Sequence, residues 1–227
     1  MSRINLQVLA GIFVLMLLTV FSITAEATEL QWFGQSAFKI TTPGGKVILV
    51  DPFITKNPKT PKEFKDLNRL GKVDLILITH GHGDHIGDTV YIAQMAKAKV
   101  ALNADMGHTF ASLGWVPYKQ MIRFNKGGPV RPIGQDITIT MVHAEHSSEV
   151  LYTNPESKEK EVYPGGEPAG YIIELENTSK FTMRVIRGCL PTCDSSASMT
   201  NRTWPYCQLA DISPWTRHML PMQLRVF

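Results

Sequence analysis

Hydrophobic positions along this 227-residue chain fall mostly into short runs of strand length, separated by Gly, Pro and charged residues. Leu30–Phe33 and Ala37–Thr41 read as two short strands around Gly34-Gln35-Ser36, and Pro43-Gly44-Gly45 is a turn by composition. Lys46–Asp51 (KVILVD) is a continuous apolar run closed by an acid, the pattern of a buried strand with chemistry at its end. Asp74–Thr79 (DLILIT) is a second run of the same kind. Between them Pro52–Lys65, rich in Pro and Lys, is expected to be a surface loop. Beyond Thr79, apolar residues recur at helical spacing (Ile86, Val90, Ala93, Ala96), which predicts a helix over Ile86–Lys97, and Val100–Asn103 reads as a strand. Strand, loop, helix, strand is a βαβ unit, so parallel pairing with helices on a sheet face is expected. Ile137–Val142 alternates as a strand does and runs into His143-Ala144-Glu145-His146, and Gly170–Glu176 (GYIIELE) is a further strand. The chain has no internal repeat and no low-complexity tract.

The N-terminus follows a different pattern. Arg3 precedes an apolar stretch from Leu6 to Ile23, broken only by Gln7, Gly11, Thr19 and Ser22, and Ala25-Glu26-Ala27 supplies a small-x-small site. These features predict an export signal, Met1–Ala27, cleaved after Ala27. The stretch approaches the roughly 18–20 residues of a membrane span, so an uncleaved anchor is the alternative. Both readings place the folded part outside the cytoplasm, as a periplasmic or secreted protein or one held at the membrane by this segment. The 44% hydrophobic content of the chain fits one domain with a sizeable core. A net charge of +3 with no dense basic run excludes nucleic acid as an expected partner and leaves a small-molecule substrate.

Chemistry concentrates in THGHGDHIGD, Thr79 to Asp88, where three of the seven His residues and an Asp share six positions. In a loop, residues at i and i+2 can point the same way, so His80 and His82 can grip one cation while Asp84 and His85 face a neighbouring position. Imidazole suits Zn, Fe and similar ions, and a carboxylate can join it. Gly81 and Gly83 are expected to let the backbone fold tightly around the ion. His146 and His143 both follow the Ile137–Val142 strand, and spacing alone does not choose between them as a third ligand. His108 and His218 have no companions and read as ordinary surface or core histidines. Asp51 is either a plain strand-end residue or a carboxylate that orients a ligand imidazole by a hydrogen bond.

The HGHGDH run after an apolar strand resembles the HxHxDH signature of the metallo-β-lactamase superfamily. With VDPFITKNP, VHAEHSS and GEPAGYIIELEN, the likeness extends over about Leu30 to Thr182. It is closest in character to a branch of metal-dependent hydrolases related to ascorbate-6-phosphate lactonase. The resemblance implies an α/β fold, the αβ/βα sandwich, here present over its N-terminal half to two-thirds, in a domain spanning 28–182. It also implies one metal site at His80, His82 and His146, which selects His146 over His143 and leaves His143 a supporting or surface role. A second site would use Asp84, the expected catalytic carboxylate, and His85. Zn is the first expectation for the ion, with Fe or Mn as alternatives, two ions being usual. Water between two cations about 3.5–4 Å apart ionises near neutral pH and attacks an ester, lactone or phosphodiester. Related loops can also hold the iron of an oxygenase, a weaker reading.

The family further requires a bridging Asp in a strand-end HAGDT motif and a late His motif, and neither motif is present after Thr182. From Met183 onward the chain has five Arg and no Lys, all three Cys, two of the four Trp and only two acids, Asp194 and Asp211. An odd Cys count sits awkwardly in an exported protein. No helical or strand period persists. Back-translated with permitted codons and read one base earlier, Thr182–Leu190 yields HAGDTGLF, and Cys207–Arg217 in the same register yields PIGGHFTMDP. The expectation is a shifted reading frame at about Thr182–Met183, an aberrant tail over 183–227, an uncovered sheet edge and core face, and, as the alternative to a working hydrolase, an inactive remnant that binds metal weakly.

Overall fold

The computed structural model of the protein describes residues 27–183 and the backbone of a strand at Gln223–Arg225. The predicted export signal up to Glu26 and the rest of the predicted aberrant tail, with its three Cys and His218, lie outside the described residues. Among the described residues no helix is long and apolar enough to cross a membrane.

The main sheet contains β1 (Glu29–Gly34), β2 (Ala37–Thr41), β3 (Val47–Val50), β4 (Leu75–Leu77), β5 (Lys99–Asn103) and β6 (Met121–Phe124) in sequence order. β1–β2–β3 are antiparallel, and β3–β4–β5–β6 run parallel. The parallel half places α1 (Gly83–Ile86), α2 (Thr89–Ala96) and α3 (Ala104–Ser112) in the connections. A second sheet holds β7 (Pro129–Val130), β8 (Thr138–His143), β11 (Ala169–Glu174) and β12 (Lys180–Met183) in the order β12-β11-β8-β7. Between β8 and β11, β9 (Glu149–Thr153) and β10 (Lys160–Pro164) form a separate hairpin.

Why β3 and β4 read as unbroken apolar runs is clear from their two faces. Val47 and Leu49 of β3, Ile76 of β4 and Val100 and Leu102 of β5 pack under the helices with Ile92, Met106 and Phe110. Ile48, Val50, Leu75, Leu77 and Ala101 face the other way, against Ile139, Met141, Tyr171 and Ile173 of the second sheet. A strand buried on both faces has no polar side to show. The described residues thus supply three layers, helices on sheet on sheet, and the elements after β6 are all strands.

Three expectations need correction. The predicted helix over Ile86–Lys97 starts later, as α2 at Thr89–Ala96, because Gly87 takes φ +47°, and a Cβ there would lie 2.5 Å from the Pro52 carbonyl oxygen. The predicted surface loop Pro52–Lys65 is anchored inward: Ile54, Asn57 and Thr60 are buried. Asn57 Nδ2 donates to the Gly34 and Phe53 carbonyls, Thr60 Oγ1 donates to the Phe33 carbonyl, and Asp88 accepts from Ile54 N and Thr55 N. Its polar side chains thus satisfy backbone groups that would otherwise be buried without partners. Finally, a strand does occur in the stretch after Met183: β13 (Gln223–Arg225) pairs in parallel with β1 at one edge of the main sheet.

One buried contact ties the two sheets together beneath the β4 end. Tyr171 of β11 donates its hydroxyl to the Ile78 carbonyl at 2.6 Å. Burial first, and the nearby Asp51 charge second, push this phenol well above its ordinary range, so it stays a donor at every working pH. Tyr171→Phe is expected to cost about 1–2 kcal/mol, read from the shift in a urea unfolding midpoint at unchanged slope.

Candidate metal centre

The chain leaving β4 is held from several sides before it turns into the histidine loop. Asp51 N donates to the Leu77 carbonyl, Ile78 N to that of Ala101, and Ala169 N to that of Thr79. His80 then emerges fully buried, and His82 stands at the mouth of α1 in an extended conformation. Nε2 of His80 and Nδ1 of His82 lie 2.9 Å apart. His146, from the β8–β9 connection, brings its ring to 4.7 Å from that of His80 and 5.0 Å from that of His82, centroid to centroid. One ligand nitrogen from each of these three residues lies within 4.8 Å of the others, the one such group of three among the described residues.

The remaining site residues divide. His85, on α1, stacks obliquely on His80 with ring centroids 4.0 Å apart. Asp84 beside it is exposed and is not drawn into the three-His group, though its charge acts on His85. His143 is turned away to solvent, paired with Glu145 at 2.6 Å. His108 sits on the surface between Tyr118 and Arg123.

Asp51 is the internal hub, and it holds φ +44° at the β3 end. Its Oδ1 accepts from Thr79 N at 2.8 Å, and its Oδ2 accepts from the Thr79 hydroxyl at 2.6 Å and from His85 Nδ1 at 2.7 Å. Having donated its proton to Asp51, the Thr79 hydroxyl is an acceptor for the Nδ1–H of His80, 3.1 Å away. Both imidazoles are thereby set as Nδ1–H tautomers with Nε2 as the lone-pair nitrogen. This is the carboxylate–histidine arrangement that typically orients metal ligands.

Electrostatics points the same way. Burial first, then the charges of His85, His82 and His146, pushes His80 down from 6.5 to about 2, so it is neutral, the ligand form. For His85, burial works downward, but the Asp51 carboxylate and then Asp84 outweigh it, and the net direction is up.

Gly81 earns its place by close approach. Its N–H donates to Ser148 Oγ at 3.1 Å, and a Cβ there would lie 2.8 Å from the Glu149 carbonyl oxygen. The segment after His146 can therefore lie directly on the loop. Gly83 does not share this reason, since a Cβ there would meet nothing within 4 Å. Sequence reasoning missed Thr79, Ser148, Glu149 and Tyr171. The only available signal was position, since Thr79 borders the motif and Ser148 and Glu149 follow His146 directly.

A sheet packed on a sheet, with metal-capable side chains at the C-terminal end of a parallel strand, is the class of architecture this chain shares with known proteins. Residues 46–183 match the model of the beta-lactamase superfamily domain, and the chain belongs to that family. It is 54% identical over 158 residues to a UPF0173 metal-dependent hydrolase of Cupriavidus necator, covering 69% of this chain and 55% of that one. A UPF0173 metal-dependent hydrolase of Thermodesulfovibrio yellowstonii is 39% identical over 169 residues, covering 73% and 62%. The chain thus spans little more than half the length of these relatives. Among solved structures, it resembles Igni18, a metallo hydrolase from the archaeon Ignicoccus hospitalis, with 31% identity and a TM-score of 0.52, covering 66% of this chain and 57% of that one.

Proposed function

We propose that this chain carries the metal centre of a hydrolase, with His80, His82 and His146 as the ligands of one cation and an ester, lactone or phosphodiester of a small molecule as substrate. The observation that supports it best is the convergence of three imidazole nitrogens on one point, with His80 set by Thr79 and Asp51 to present a lone pair there. The donor set fits a transition metal: three neutral imidazoles leave one position open, the arrangement typical of catalytic Zn. Zn is the first choice, with Fe or Mn as alternatives. When bound, such an ion supplies a hydrolytic nucleophile near neutral pH by acidifying water. The chain's own residues hold His80 neutral and, through Thr79 and Asp51, set its tautomer. His85 Nε2 and Asp84 would serve a second cation, with Asp84 as the catalytic carboxylate.

The apolar N-terminal stretch supports export or membrane anchoring of this domain. For the stretch after Met183, its composition and the two shifted-frame motifs support a changed reading frame, which DNA sequencing around Thr182 tests.

The functional reading is tested by elemental analysis of the purified chain together with a panel of aryl esters, lactones and phosphodiesters. The wild-type chain is expected to hold a transition metal and to turn over at least one class. His82→Ala is expected to remove both with an unchanged circular dichroism spectrum. A folded wild-type protein that takes up no transition metal overturns the reading.

A further inference from the structure

His82 faces two ways. Its Nδ1 is turned to His80, and its Nε2 lies 3.2 Å from Glu149 Oε1 and 3.3 Å from Ser147 Oγ. His80 and His85 have their tautomers set from beneath by Thr79 and Asp51, but neither of those residues reaches His82. Any orientation of His82 must come from the opposite side, where Glu149 stands.

Glu149 is not a freely swinging surface carboxylate. It is the first residue of β9 and is paired in register with Pro164 of β10. Its backbone is pressed against Gly81, so that a Cβ on that glycine would lie 2.9 Å from the Glu149 carbonyl carbon. The preceding Ser148 accepts from Gly81 N, and its carbonyl accepts from Gly165 N at 3.2 Å. The hairpin base is thus fixed to the histidine loop one residue before His82. An exposed ion pair is ordinarily worth little because two long side chains must be ordered to make it. Here much of that ordering is already supplied by the backbone.

We propose that Glu149 is a positioning residue for His82. Its carboxylate accepts the Nε2–H of the imidazole, which selects that tautomer and leaves the Nδ1 lone pair directed at the metal position shared with His80 and His146. The inference rests on the metal-centre reading above: with a cation in place His80 Nε2 and His82 Nδ1, 2.9 Å apart, both turn lone pairs toward it, whereas without one either nitrogen donates to the other. Ser147 stands at the same nitrogen, yet its hydroxyl can donate or accept and so selects no tautomer. Glu149, acceptor-only when ionised, does.

Two measurements on the full chain test it. In zinc-loaded protein at pH 8, long-range proton–nitrogen correlation spectra, with the His82 signals identified by their loss in His82→Ala, are expected to show a single Nε2–H tautomer. Glu149→Ala is expected to give a tautomer mixture, while Glu149→Gln, whose amide oxygen still accepts, and Ser147→Ala are expected to keep the single form. Cobalt(II) titration read by visible absorption is expected to show affinity about 10- to 100-fold weaker in Glu149→Ala, with a changed band shape. Glu149→Gln is expected to restore it to within about threefold of wild type, on the order of RT ln 3. An unchanged His82 tautomer in Glu149→Ala overturns the inference, as does a Glu149→Gln variant as weak as the alanine. A wild-type chain that binds neither zinc nor cobalt overturns the metal reading, whereas one that binds both but shows a mixture of His82 tautomers overturns the Glu149 assignment alone.

Discussion

Asp51→Ala is expected to lower the stability of the metal-free domain by about 3–6 kcal/mol, a large part of the 5–15 kcal/mol typical of a whole domain. The alanine would take away the acceptor of three donors: the Thr79 N–H, the Thr79 hydroxyl and the His85 Nδ1–H. Each such loss costs about 1–3 kcal/mol, and the residual contact of Thr79 Oγ1 with His85 Nδ1, 3.3 Å apart, keeps the sum for three in the lower part of the range. The backbone adds to this, because φ +44° at position 51 is tolerated by Asp and Asn better than by Ala. Asp51→Asn separates the two effects. It keeps the backbone preference and one acceptor for Thr79 N, but places an amide nitrogen where an acceptor is needed. Asn is therefore expected to cost about half as much in stability while still losing 10- to 100-fold in metal affinity. Urea unfolding of both variants, with and without metal, measures this. A loss under 1 kcal/mol for Asp51→Ala would show that Asp51 is not the hub of the site.

That carboxylate also shows how far the site could be read from its residues. Nothing in KVILVD distinguishes a strand-end Asp from an orienting one, since the distinction depends on what the next parallel strand brings alongside. β3 and β4 pair so that the end of one lies beside the end of the other, and Thr79 falls against Asp51. That His80, His82 and His85 come together was legible because they are local in sequence, while Asp84, equally local, stays exposed outside the three-His group. His146 was not separable from His143 by spacing. In the fold, β8 ends at His143, whose side chain points to solvent, and the chain turns back so that His146 reaches the loop.

The same division between local and long-range information governs the fold. Strands buried on both faces declared themselves as apolar runs, and β3, β4 and β5 lie where those runs do. The hairpin β9–β10 escaped notice because its outer face mixes Glu, Lys and Thr with exposed Leu151 and Val162, so neither composition nor period marks it. Helix α3 begins with Asn103, whose Oδ1 caps Met106 N while its Nδ2 donates to the Gly165 and Glu167 carbonyls. A cap that also staples a distant loop looks, in sequence, like the end of a strand. The inward anchoring of the loop after Asp51 was hidden for a related reason: Asn57, Thr60 and Asp88 are polar residues whose partners are backbone groups elsewhere.

Acid sensitivity of the metal-free protein follows from His80. Its folded value lies near 2 against an ordinary 6.5, so between those limits the unfolded chain binds a proton that the folded chain refuses. Stability therefore falls as pH falls below about 6.5, by at most about 1.4 kcal/mol per unit from this residue. Two units of acidification would remove roughly 2–3 kcal/mol. His85 has the opposite sign: its value is raised, so its contribution is fully present below its unfolded value and is lost as pH rises through the folded one. Together they place the stability maximum of the metal-free domain close to or slightly above pH 6.5. Asp74, whose partial burial works upward, is held low by Lys72 hydrogen bonding and loses its contribution only as pH falls below its ordinary 3.8, outside this window. Urea midpoints in chelator between pH 6.5 and 4.5 are expected to fall steadily, and His80→Gln to flatten the slope even though the variant starts less stable. Metal-loaded protein is expected to fall more steeply over the same range, since protons then compete with the cation for the imidazoles. A flat profile in chelator would mean that water reaches His80 and that the buried neutral imidazole, on which the ligand geometry depends, does not form.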